Sequence, residues 1–155
     1  MTKPDVGDLA PDFTLPTDQD DALTLSALRG KKVVLFFYPK DNTSGCTKEA
    51  IGFTEHLAAF EAANTTIIGM SPDGVESHTK FREKHSLEVK LVADEEKTAL
   101  EAYGVWTEKS MYGKKYMGVE RSTFLIDAEG KIAKAWRKVK VPGHVEEVLE
   151  AAQSL

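Results

Sequence analysis

The sequence predicts an α/β fold in which a central mixed sheet, partly parallel, carries helices on both faces. Two nearly unbroken apolar runs, VVLFFY (33–38) and TTIIGM (65–70), are each followed by a helical pattern, as is typical of parallel strands buried on both faces. STFLID and KIAKAW flank Ala128–Glu129–Gly130, a hairpin signal that adds antiparallel strands. With 155 residues, 41% of them apolar, the chain is predicted to form one domain over residues 1–155.

The N-terminal half contains a predicted hairpin, the first buried strand and one long helix. DFTL and ALTL flank the polar turn PTDQDD, which predicts an N-terminal β-hairpin over residues 12–25. The buried strand at 33–38 follows and ends before a proline. A helix over residues 46–63 is then predicted by four apolar residues at helical spacing: Ala50, Phe53, Leu57 and Phe60.

The C-terminal half continues the alternation and then closes on a hairpin and a helix. After the strand at 65–70 the patterns predict three elements, which are a helix over 75–86, a short strand over 89–93 and a short helix over 94–103. Residues 104–118, rich in Gly, Tyr and Lys, are predicted to be a loop. The hairpin of STFLID and KIAKAW follows, and Pro142–Gly143 opens a final helix.

Composition and charge exclude several classes of function. The net charge of −5 and the pI near 5.4 argue against nucleic acid as the main partner. No apolar run is long enough for a membrane span, and MTKPDVGDLAPDF lacks the apolar centre of a secretory signal, so a cytoplasmic location is expected. Neither a metal nor a cofactor is expected, because the histidines have no ligand spacing: His56, His78, His85 and His144.

The single cysteine, Cys46, lies where a buried strand leads into a helix. Unpaired N–H groups and the positive end of the helix dipole favour a thiolate there, and Thr43 and Ser44 both suit the N-cap. The polar flanks TSG and TKE favour a reactive thiol over a buried structural cysteine, which is the commonest role of a free cysteine. No internal disulfide can form with one cysteine.

Ionisation alone gives a thiol little extra reactivity. Lowering the pKa of a thiol from about 8.5 to about 6 raises its thiolate fraction at pH 7 roughly thirtyfold, but the lower basicity costs roughly eighteenfold in nucleophilicity. A fast thiol enzyme therefore needs placed hydrogen-bond donors. The candidates are the Thr43 hydroxyl, the N–H groups of Gly45 and Cys46, and the guanidinium of Arg121 at the head of STFLID. A solvated charge at a strand end is the other interpretation of Arg121.

Several motifs together resemble the peroxiredoxins. Pro39, Thr43 and Cys46 match the family spacing P-x-x-x-T-x-x-C, and YPKDNTSGCTKEAIGF is similar to the Q-type subgroup, also called bacterioferritin comigratory protein. The resemblance extends to GDLAPDFTL, to GVERSTFLID with Arg121 and to KAWRKVKVPGHVEEVL, so it covers nearly the whole chain. It implies a thioredoxin-like fold and a thiol-dependent peroxidase that reduces hydrogen peroxide and organic hydroperoxides in antioxidant defence.

The resemblance also implies a role for each motif residue. Cys46 would be the peroxidatic nucleophile that becomes a sulfenic acid, and Thr43 would hydrogen-bond the thiolate and the incoming peroxide. Arg121 would hold the sulfur and the developing negative charge, and Pro39 would shield the sulfur from water. Glu49, one turn after the thiol, either orients Arg121 through a carboxylate–guanidinium pair or is a charge on the wet face of the helix.

The chain departs from many Q-type peroxiredoxins where they carry a second, resolving cysteine. Five residues after the first cysteine this chain has Ile51, and the later helix where others place it has TKFREKHS. A one-cysteine mechanism is therefore expected, in which an external thiol attacks the sulfenic acid of Cys46. The candidate reductants are thioredoxin, glutaredoxin or a low-molecular-weight thiol, and the resemblance favours a monomer.

Two other functions compete with a peroxidase. A non-catalytic thiol switch would form one mixed disulfide with a partner protein, whereas an enzyme would turn over with added reductant. A disulfide oxidoreductase is disfavoured, because Thr43 stands where a C-x-x-C pair has its first thiol. Within residues 104–118, five large side chains are interpreted either as packing on the core or as an apolar collar beside the thiol that admits organic hydroperoxides or a thiol partner: Trp106, Met111, Tyr112, Tyr116 and Met117.

Overall fold

The computed structural model describes residues 3–155, and its central element is a five-stranded mixed sheet. Nine strands occur in these residues: β1 (Thr14–Pro16), β2 (Ala22–Thr24), β3 (Lys32–Phe37), β4 (Thr65–Ser71), β5 (Lys90–Ala93), β6 (Trp106–Met111), β7 (Lys114–Val119), β8 (Ser122–Ile126) and β9 (Ile132–Trp136). The same residues contain five α-helices: α1 (Ser44–Glu55), α2 (Leu57–Ala62), α3 (Val75–His85), α4 (Thr98–Ala102) and α5 (His144–Ser154). The large sheet has the order β5-β4-β3-β8-β9, and β1–β2 and β6–β7 are separate hairpins.

The central strand, β3, is buried on both faces. It pairs in parallel with β4 and antiparallel with β8. Every residue from Val33 to Phe37 is buried, so apolar side chains are needed at successive positions rather than at alternate ones. The buried central strand predicted from VVLFFY is therefore confirmed, and so is the mixed sheet predicted from the closing hairpin. The N-terminal hairpin is also confirmed and is formed by β1 and β2.

Two apolar cores lie on opposite faces of the sheet. The hairpin-side core is covered by the N-terminal hairpin and α4, and it takes alternate residues of β3: Val33, Leu35 and Phe37. The helix-side core is filled from α1, α2, α3 and α5, and it takes Val34 and Phe36 from the other face of β3 together with Tyr38, the residue after the strand. Helices thus lie on both faces, as predicted. Cys46 belongs to the helix-side core.

The single helix predicted over residues 46–63 is instead two helices, α1 and α2, which meet at His56. This residue leaves helical geometry, with φ −99° and ψ 7°. Its ring Nδ1–H donates to the Gly52 carbonyl at 2.9 Å, and its backbone N–H donates to the same oxygen. The apolar spacing continues through the break, because α2 still packs Phe60 into the helix-side core, so periodicity does not reveal it.

The segment predicted as a loop, residues 104–118, contains a β-hairpin. β6 and β7 pair antiparallel, and Tyr112–Gly113 is the two-residue turn between them. Both turn residues have positive φ, 52° and 79°, as in a type I′ turn. The loop prediction was wrong because Tyr-Gly is not the Asn-Gly or Asp-Gly pair that marks such a turn in a sequence.

The other elements follow the predicted order with small changes of length. The helix predicted over 94–103 is shortened to α4, because the buried Asp94 accepts a hydrogen bond from the Leu100 N–H at 2.9 Å and holds the preceding residues in a turn. Within residues 3–155, no helix combines the length and the apolar character needed to cross a bilayer.

Candidate active site

Two residues far apart in sequence, Cys46 and Arg121, meet at one edge of the large sheet. β3 runs towards this edge and β8 starts from it, and their antiparallel register pairs Phe37 with Ser122. Tyr38 and Arg121, the next residues outward, therefore lie side by side. The loop after Tyr38 leads directly into α1, so the register brings Arg121 to the first turn of that helix.

The sulfur of Cys46 is buried beneath this turn. Cys46 is the third residue of α1 and is 1% exposed, although its flanking residues are polar. Arg121 Nη2 donates a hydrogen bond to Sγ at 3.2 Å. The positive end of the α1 dipole and a guanidinium therefore both place positive charge beside the sulfur.

Arg121 holds a second acceptor, the carboxylate of Glu49. Its Nη1 donates to Oε1 at 2.7 Å, so one planar guanidinium bridges the sulfur and the carboxylate. Glu49 is fully buried, so it does not lie on the wet face of α1. The pairing of this carboxylate with Arg121 is the geometry required if Glu49 orients Arg121.

Burial and charge shift the pKa values of this pair. Burial raises the pKa of Glu49 to about 7, although Arg121 acts in the opposite direction. Burial by itself lowers the pKa of Arg121, but the charges of Glu49 and Cys46 outweigh it, and the pKa is raised overall. Arg121 is therefore a permanent cation, whereas Glu49 titrates near neutral pH.

Gly45 leaves the space that the guanidinium occupies. A Cβ atom at this position would lie 3.1 Å from Nη2 and 3.7 Å from Cζ of Arg121, and the first of these distances is too short for ordinary van der Waals contact. The glycine lets Arg121 lie across the first turn of α1 and reach Sγ. The sequence points to Gly45 only as a backbone donor, and the structure adds the need for a missing side chain.

Thr43 and Pro39, the other two motif residues, surround the first turn of α1. Thr43 is the N-cap, and its exposed hydroxyl donates to the Lys40 carbonyl at 2.8 Å. Within residues 3–155 no hydrogen bond joins that hydroxyl to Sγ. The hydroxyl therefore has to leave Lys40 before it can donate to the thiolate or a peroxide. Pro39 is half-buried directly after Tyr38.

Comparison with known proteins gives one consistent family. Residues 6–135 match the AhpC/TSA family. Peroxiredoxin Bcp from Bacillus subtilis is 48% identical over 151 residues, which cover 97% of this chain and 96% of that protein. The chain belongs to the peroxiredoxins. The recognition made from the P-x-x-x-T-x-x-C motif is thereby confirmed.

Solved structures show the same fold as this peroxiredoxin. Peroxiredoxin Q from Xanthomonas campestris is 43% identical with a TM-score of 0.88, covering 92% of this chain and 90% of that one. A mutant of PrxQ from Xylella fastidiosa is 39% identical with a TM-score of 0.94, covering 99% and 98%. The thioredoxin-like fold is therefore confirmed. A further Xanthomonas campestris structure, of the bacterioferritin comigratory protein, is 42% identical and is described with its alkyl peroxide reduction activity.

A buried ion pair fixes the loop between β3 and α1 of this peroxiredoxin. Asp41 Oδ2 lies 2.7 Å from Nδ1 of His78 on α3, and Nε2 of the same ring donates to the Val92 carbonyl at 3.0 Å. Because both acceptors can only accept, both ring nitrogens carry a proton and His78 is a cation. Burial alone lowers the pKa of His78, but Asp41 outweighs it and the pKa is raised.

Further bonds converge on Asp41, which the sequence did not single out. The Tyr38 hydroxyl donates to Oδ1 at 2.6 Å and the Ser77 hydroxyl to Oδ2 at 2.8 Å. Its own backbone N–H donates to Asp73 Oδ2 at 2.8 Å. One feature of the sequence could have indicated a buried partner for this loop. His78 lies three residues before Phe81 and hence on the buried face of α3.

His144, which faces Glu49, and Thr123, which contacts His144, were also not recognised as site residues from the sequence. His144, the first residue of α5, has Nε2 at 3.9 Å from Glu49 Oε2, and the Thr123 hydroxyl lies 2.8 Å from the same nitrogen. The sequence gives one indication that Thr123 lies near the site. It follows Arg121 by two positions, so the two side chains point to the same side of the sheet. Residues 3–155 contain no cluster of three or more His, Cys, Asp or Glu side chains arranged to hold a metal.

The hairpin β6–β7 approaches the site with Lys109 and not with its largest aromatic residue. Burial and the charge of Arg121 lower the pKa of Lys109, while Cys46 acts in the opposite direction. Trp106 packs against the hairpin-side core, on the other face of the sheet from the sulfur. The hypothesis of an apolar collar that includes Trp106 was therefore wrong. The other members of that set are exposed: Met111, Tyr112, Tyr116 and Met117.

Proposed function

We propose that this peroxiredoxin reduces hydrogen peroxide and organic hydroperoxides with Cys46 as the peroxidatic nucleophile. The hydrogen bond of 3.2 Å from Arg121 to Sγ, inside a buried helical turn, is the observation that carries the proposal. It fixes a cationic N–H group where negative charge moves from sulfur to oxygen during O–O cleavage. Placed donors of this kind supply the transition-state stabilisation that thiol ionisation does not.

The first half of the reaction forms a sulfenic acid. The Cys46 thiolate attacks the terminal oxygen of R–O–O–H, so that an S–O bond forms, the O–O bond breaks and RO⁻ leaves. The leaving oxygen takes a proton, and the products are Cys46–SOH and ROH, or water when R is hydrogen. Arg121 stabilises the moving charge, the Thr43 hydroxyl positions the peroxide once it leaves Lys40, and Pro39 keeps water from the sulfur.

The second half requires a thiol from outside the chain, because Cys46 is the only cysteine in the 155 residues. An external thiol R′SH attacks the sulfenic sulfur, water leaves and a mixed disulfide forms. A second R′SH then releases the Cys46 thiol and R′S–SR′. Ile51, where many Q-type relatives carry a resolving cysteine, packs against the helix-side core. Thioredoxin, glutaredoxin and low-molecular-weight thiols are the reductants we infer.

We also infer how the molecule is organised and where it works. Both apolar cores share one sheet, which supports a single domain over residues 1–155. A catalytic thiol that must be regenerated works in a reducing compartment, which supports a cytoplasmic location. The Q-type resemblance supports a monomer. The net charge of −5 supports small peroxides and thiols as partners instead of nucleic acid.

The second-order rate constant for peroxide reduction tests the roles of Cys46 and Arg121. Cys46→Ser lacks an ionising nucleophile, and its activity is expected to be abolished. Arg121→Ala loses the donor at the sulfur and is expected to be about 10²- to 10³-fold slower. Arg121→Lys keeps the charge but not the planar fork, and its rate is expected to fall between those of Arg121→Ala and the wild type.

The matched control is Arg29→Ala, which removes an exposed arginine and is expected to keep the wild-type rate. Circular dichroism and thermal unfolding show whether each variant is folded. A wild-type rate in folded Cys46→Ser or Arg121→Ala contradicts the assigned roles. With excess peroxide and a dithiol reductant, a peroxidase consumes many equivalents per chain, whereas a thiol switch stops after one.

A further inference from the structure

The buried carboxylate of Glu49 has one oxygen that no protein group satisfies. Oε1 accepts the hydrogen bond from Arg121, but Oε2 is buried without a hydrogen-bond partner in residues 3–155. An unpaired oxygen of a buried carboxylate is costly when it carries charge, and less so when a proton on it can be donated to a nearby acceptor. The surroundings of Oε2 therefore decide which form of Glu49 the protein holds.

The imidazole of His144 faces that oxygen. Its Nε2 lies 3.9 Å from Oε2, and His144 itself is almost completely buried. The ring is enclosed edge-on by Trp136 and Phe53, and the Thr123 hydroxyl lies 2.8 Å from Nε2. His144 is therefore fixed in place, and a movement of less than 1 Å brings Oε2 and Nε2 within hydrogen-bond distance, provided that the Thr123 hydroxyl proton turns away from the single lone pair of Nε2.

The three charged groups that are hydrogen-bonded to one another in this cluster do not balance unless the pair holds a proton. A Cys46 thiolate, the Arg121 guanidinium and a Glu49 carboxylate add up to one excess negative charge in a buried site. One proton shared between Glu49 and His144 makes the cluster neutral. Burial of an uncompensated charge is strongly unfavourable, so the thiolate and the shared proton support each other.

We propose that His144 is a positioning residue of the peroxidatic site, which keeps a proton on the Glu49–His144 pair while Cys46 is a thiolate. With the pair protonated, Arg121 directs its charge to the sulfur instead of dividing it with a carboxylate. The inference rests on the proposed roles of Cys46 and Arg121. It assigns no contact between His144 and the peroxide.

The same proton balances the first half of the reaction. The thiolate is consumed, and Cys46–SOH is neutral, so Glu49 can become a carboxylate that pairs with Arg121 alone. The overall step is then Cys46–S⁻ + ROOH + pair–H⁺ → Cys46–SOH + ROH + pair, in which the pair releases one proton as RO⁻ gains one, so that the reaction takes up no net proton from solution. Charge and atoms are conserved within the site.

The charged groups around the pair agree with this arrangement. Burial lowers the pKa of His144 to about 4, with Arg121 acting in the same direction and Glu146 and Glu147 in the other. Glu49 faces Arg121 and His144, and its raised pKa of about 7 places the shared proton near neutral pH. Lys109 on β6 is coupled to Arg121 and Cys46 by charge, but it is partly exposed and forms no hydrogen bond to either within residues 3–155, so solvent screens its contribution.

The pH profile of peroxide reduction is the first test. The rate constant per thiolate, with thiolate followed by its ultraviolet absorbance, is expected to fall as the pH rises through about 7. Glu49→Gln has no proton to lose, so this high-pH fall disappears. In His144→Leu the carboxyl proton loses its acceptor, and the fall moves to lower pH by about one unit, the value of one hydrogen bond. His144→Gln, whose amide can reach the Nε2 position, restores most of the shift.

A residue that merely packs would leave this profile unchanged, and the controls make that distinction. His56→Asn removes a histidine at the C-terminal end of α1, seven positions after Glu49. This variant is expected to keep the wild-type profile. Thr123→Val removes the hydroxyl that competes with Glu49 for Nε2, and it is expected to shift the profile in the direction opposite to that of His144→Leu. Identical profiles in the wild type, Glu49→Gln and His144→Leu overturn the inference.

Proton uptake during a single turnover is the second test. In weak buffer with a pH indicator, wild-type thiolate is expected to form the sulfenic acid without net proton uptake, since the pair supplies the proton. The Glu49→Gln thiolate is expected to take up one proton per chain from solution. Uptake of one proton by the wild type overturns the inference while leaving the peroxidase intact. Absence of any rapid reaction of Cys46 with peroxide refutes the proposed function instead.

Discussion

At the scale of single residues, the site depends on one guanidinium shared between a sulfur and a carboxylate. Arg121 donates from Nη2 to Cys46 and from Nη1 to Glu49. Hydrogen bonds to charged groups contribute about 1.5–3 kcal/mol each, and an unpaired buried charge costs more than such a bond provides. The bond to Glu49 therefore fixes the plane of the guanidinium, and with it the direction of the N–H group aimed at Sγ.

Gly45→Ala is expected to slow peroxide reduction about tenfold without reducing stability. The added Cβ would lie 3.1 Å from Arg121 Nη2, so the guanidinium has to move away from the sulfur. A tenfold change corresponds to about 1.4 kcal/mol of transition-state stabilisation, a fraction of one charge-assisted bond. Alanine is a better helix former than glycine by about 1 kcal/mol, so the thermal midpoint is expected to stay level or rise.

The control for this change is Ser44→Ala, which adds no atom near Arg121 because Ser44 is exposed in the same helical turn. Its rate constant is expected to equal that of the wild type. Stopped-flow kinetics and thermal unfolding of both variants make the comparison. A Gly45→Ala rate equal to that of Ser44→Ala would show that the position of Arg121 is not limiting.

The sequence predicts the reacting residues better than it predicts their supports. Cys46 and Arg121 could be singled out because each sits at a boundary of an unmistakable buried strand. Glu49 remained ambiguous, since a charged residue one turn after a helix start is usually exposed, and its burial depends on segments distant in sequence, such as the one that carries His144. His144 comes from the far end of the chain, and no local pattern links it to Glu49.

At the scale of elements, the loop that carries the motif residues is tied to α3 by a buried ion pair. Asp41 on the loop and His78 on α3 are both buried, and Tyr38 and Ser77 add hydrogen bonds to the same carboxylate. The loop is therefore held by a helix that contributes nothing to the sulfur directly. This tie is a fixed support for the path from β3 to the first turn of α1.

Removal of His78 is expected to destabilise the protein by about 3 kcal/mol, because His78→Leu leaves Asp41 buried without its cation. The urea midpoint of unfolding measures the loss. His85→Asn, on the same helix but only partly buried, is the control and is expected to change stability by less than about 0.5 kcal/mol. A His78→Leu midpoint equal to that of the control would contradict a stabilising pair.

The same pair predicts a direction of pH dependence. The folded pKa of His78 lies above its ordinary value of 6.5, so the folded protein binds the proton more tightly than the unfolded chain does. The resulting stability is fully present below pH 6.5 and is lost as the pH rises through the raised pKa. Urea midpoints at a series of pH values should show this loss in the wild type and a smaller one in His78→Leu. Equal slopes in the two proteins would refute the assignment.

The turn of the β6–β7 hairpin is expected to be improved by a single substitution. Tyr112 is 98% exposed and has a φ of 52°, a conformation that favours asparagine over tyrosine. Tyr112→Asn is therefore expected to stabilise the protein by about 0.5–1 kcal/mol, because it gives the turn the Asn-Gly pair. The check is the urea midpoint. Tyr116→Asn within β7 is the contrast and should be neutral or destabilising, and a lower midpoint for Tyr112→Asn would contradict the turn assignment.

At the scale of the whole molecule, the sheet and its two cores follow from patterns that span several elements. A doubly buried strand such as β3 is nearly continuous in apolar residues, so its central place in the sheet could be predicted. The break at His56 and the turn at Tyr112 could not, because each depends on one side chain or one pair of dihedral angles. Contacts between distant segments, such as that of Asp41 with His78, could be recognised only from the three-dimensional structure.

The most direct measurement of the central claim is the mass of the intact chain after one equivalent of hydrogen peroxide in the presence of a sulfenic-acid trap. The account predicts rapid formation of one adduct on Cys46, which waits for an external thiol because the 155 residues hold no second cysteine. The adduct should be absent in Cys46→Ser and slow to form in Arg121→Ala. A thiol that stays free for minutes in the wild type would contradict the account.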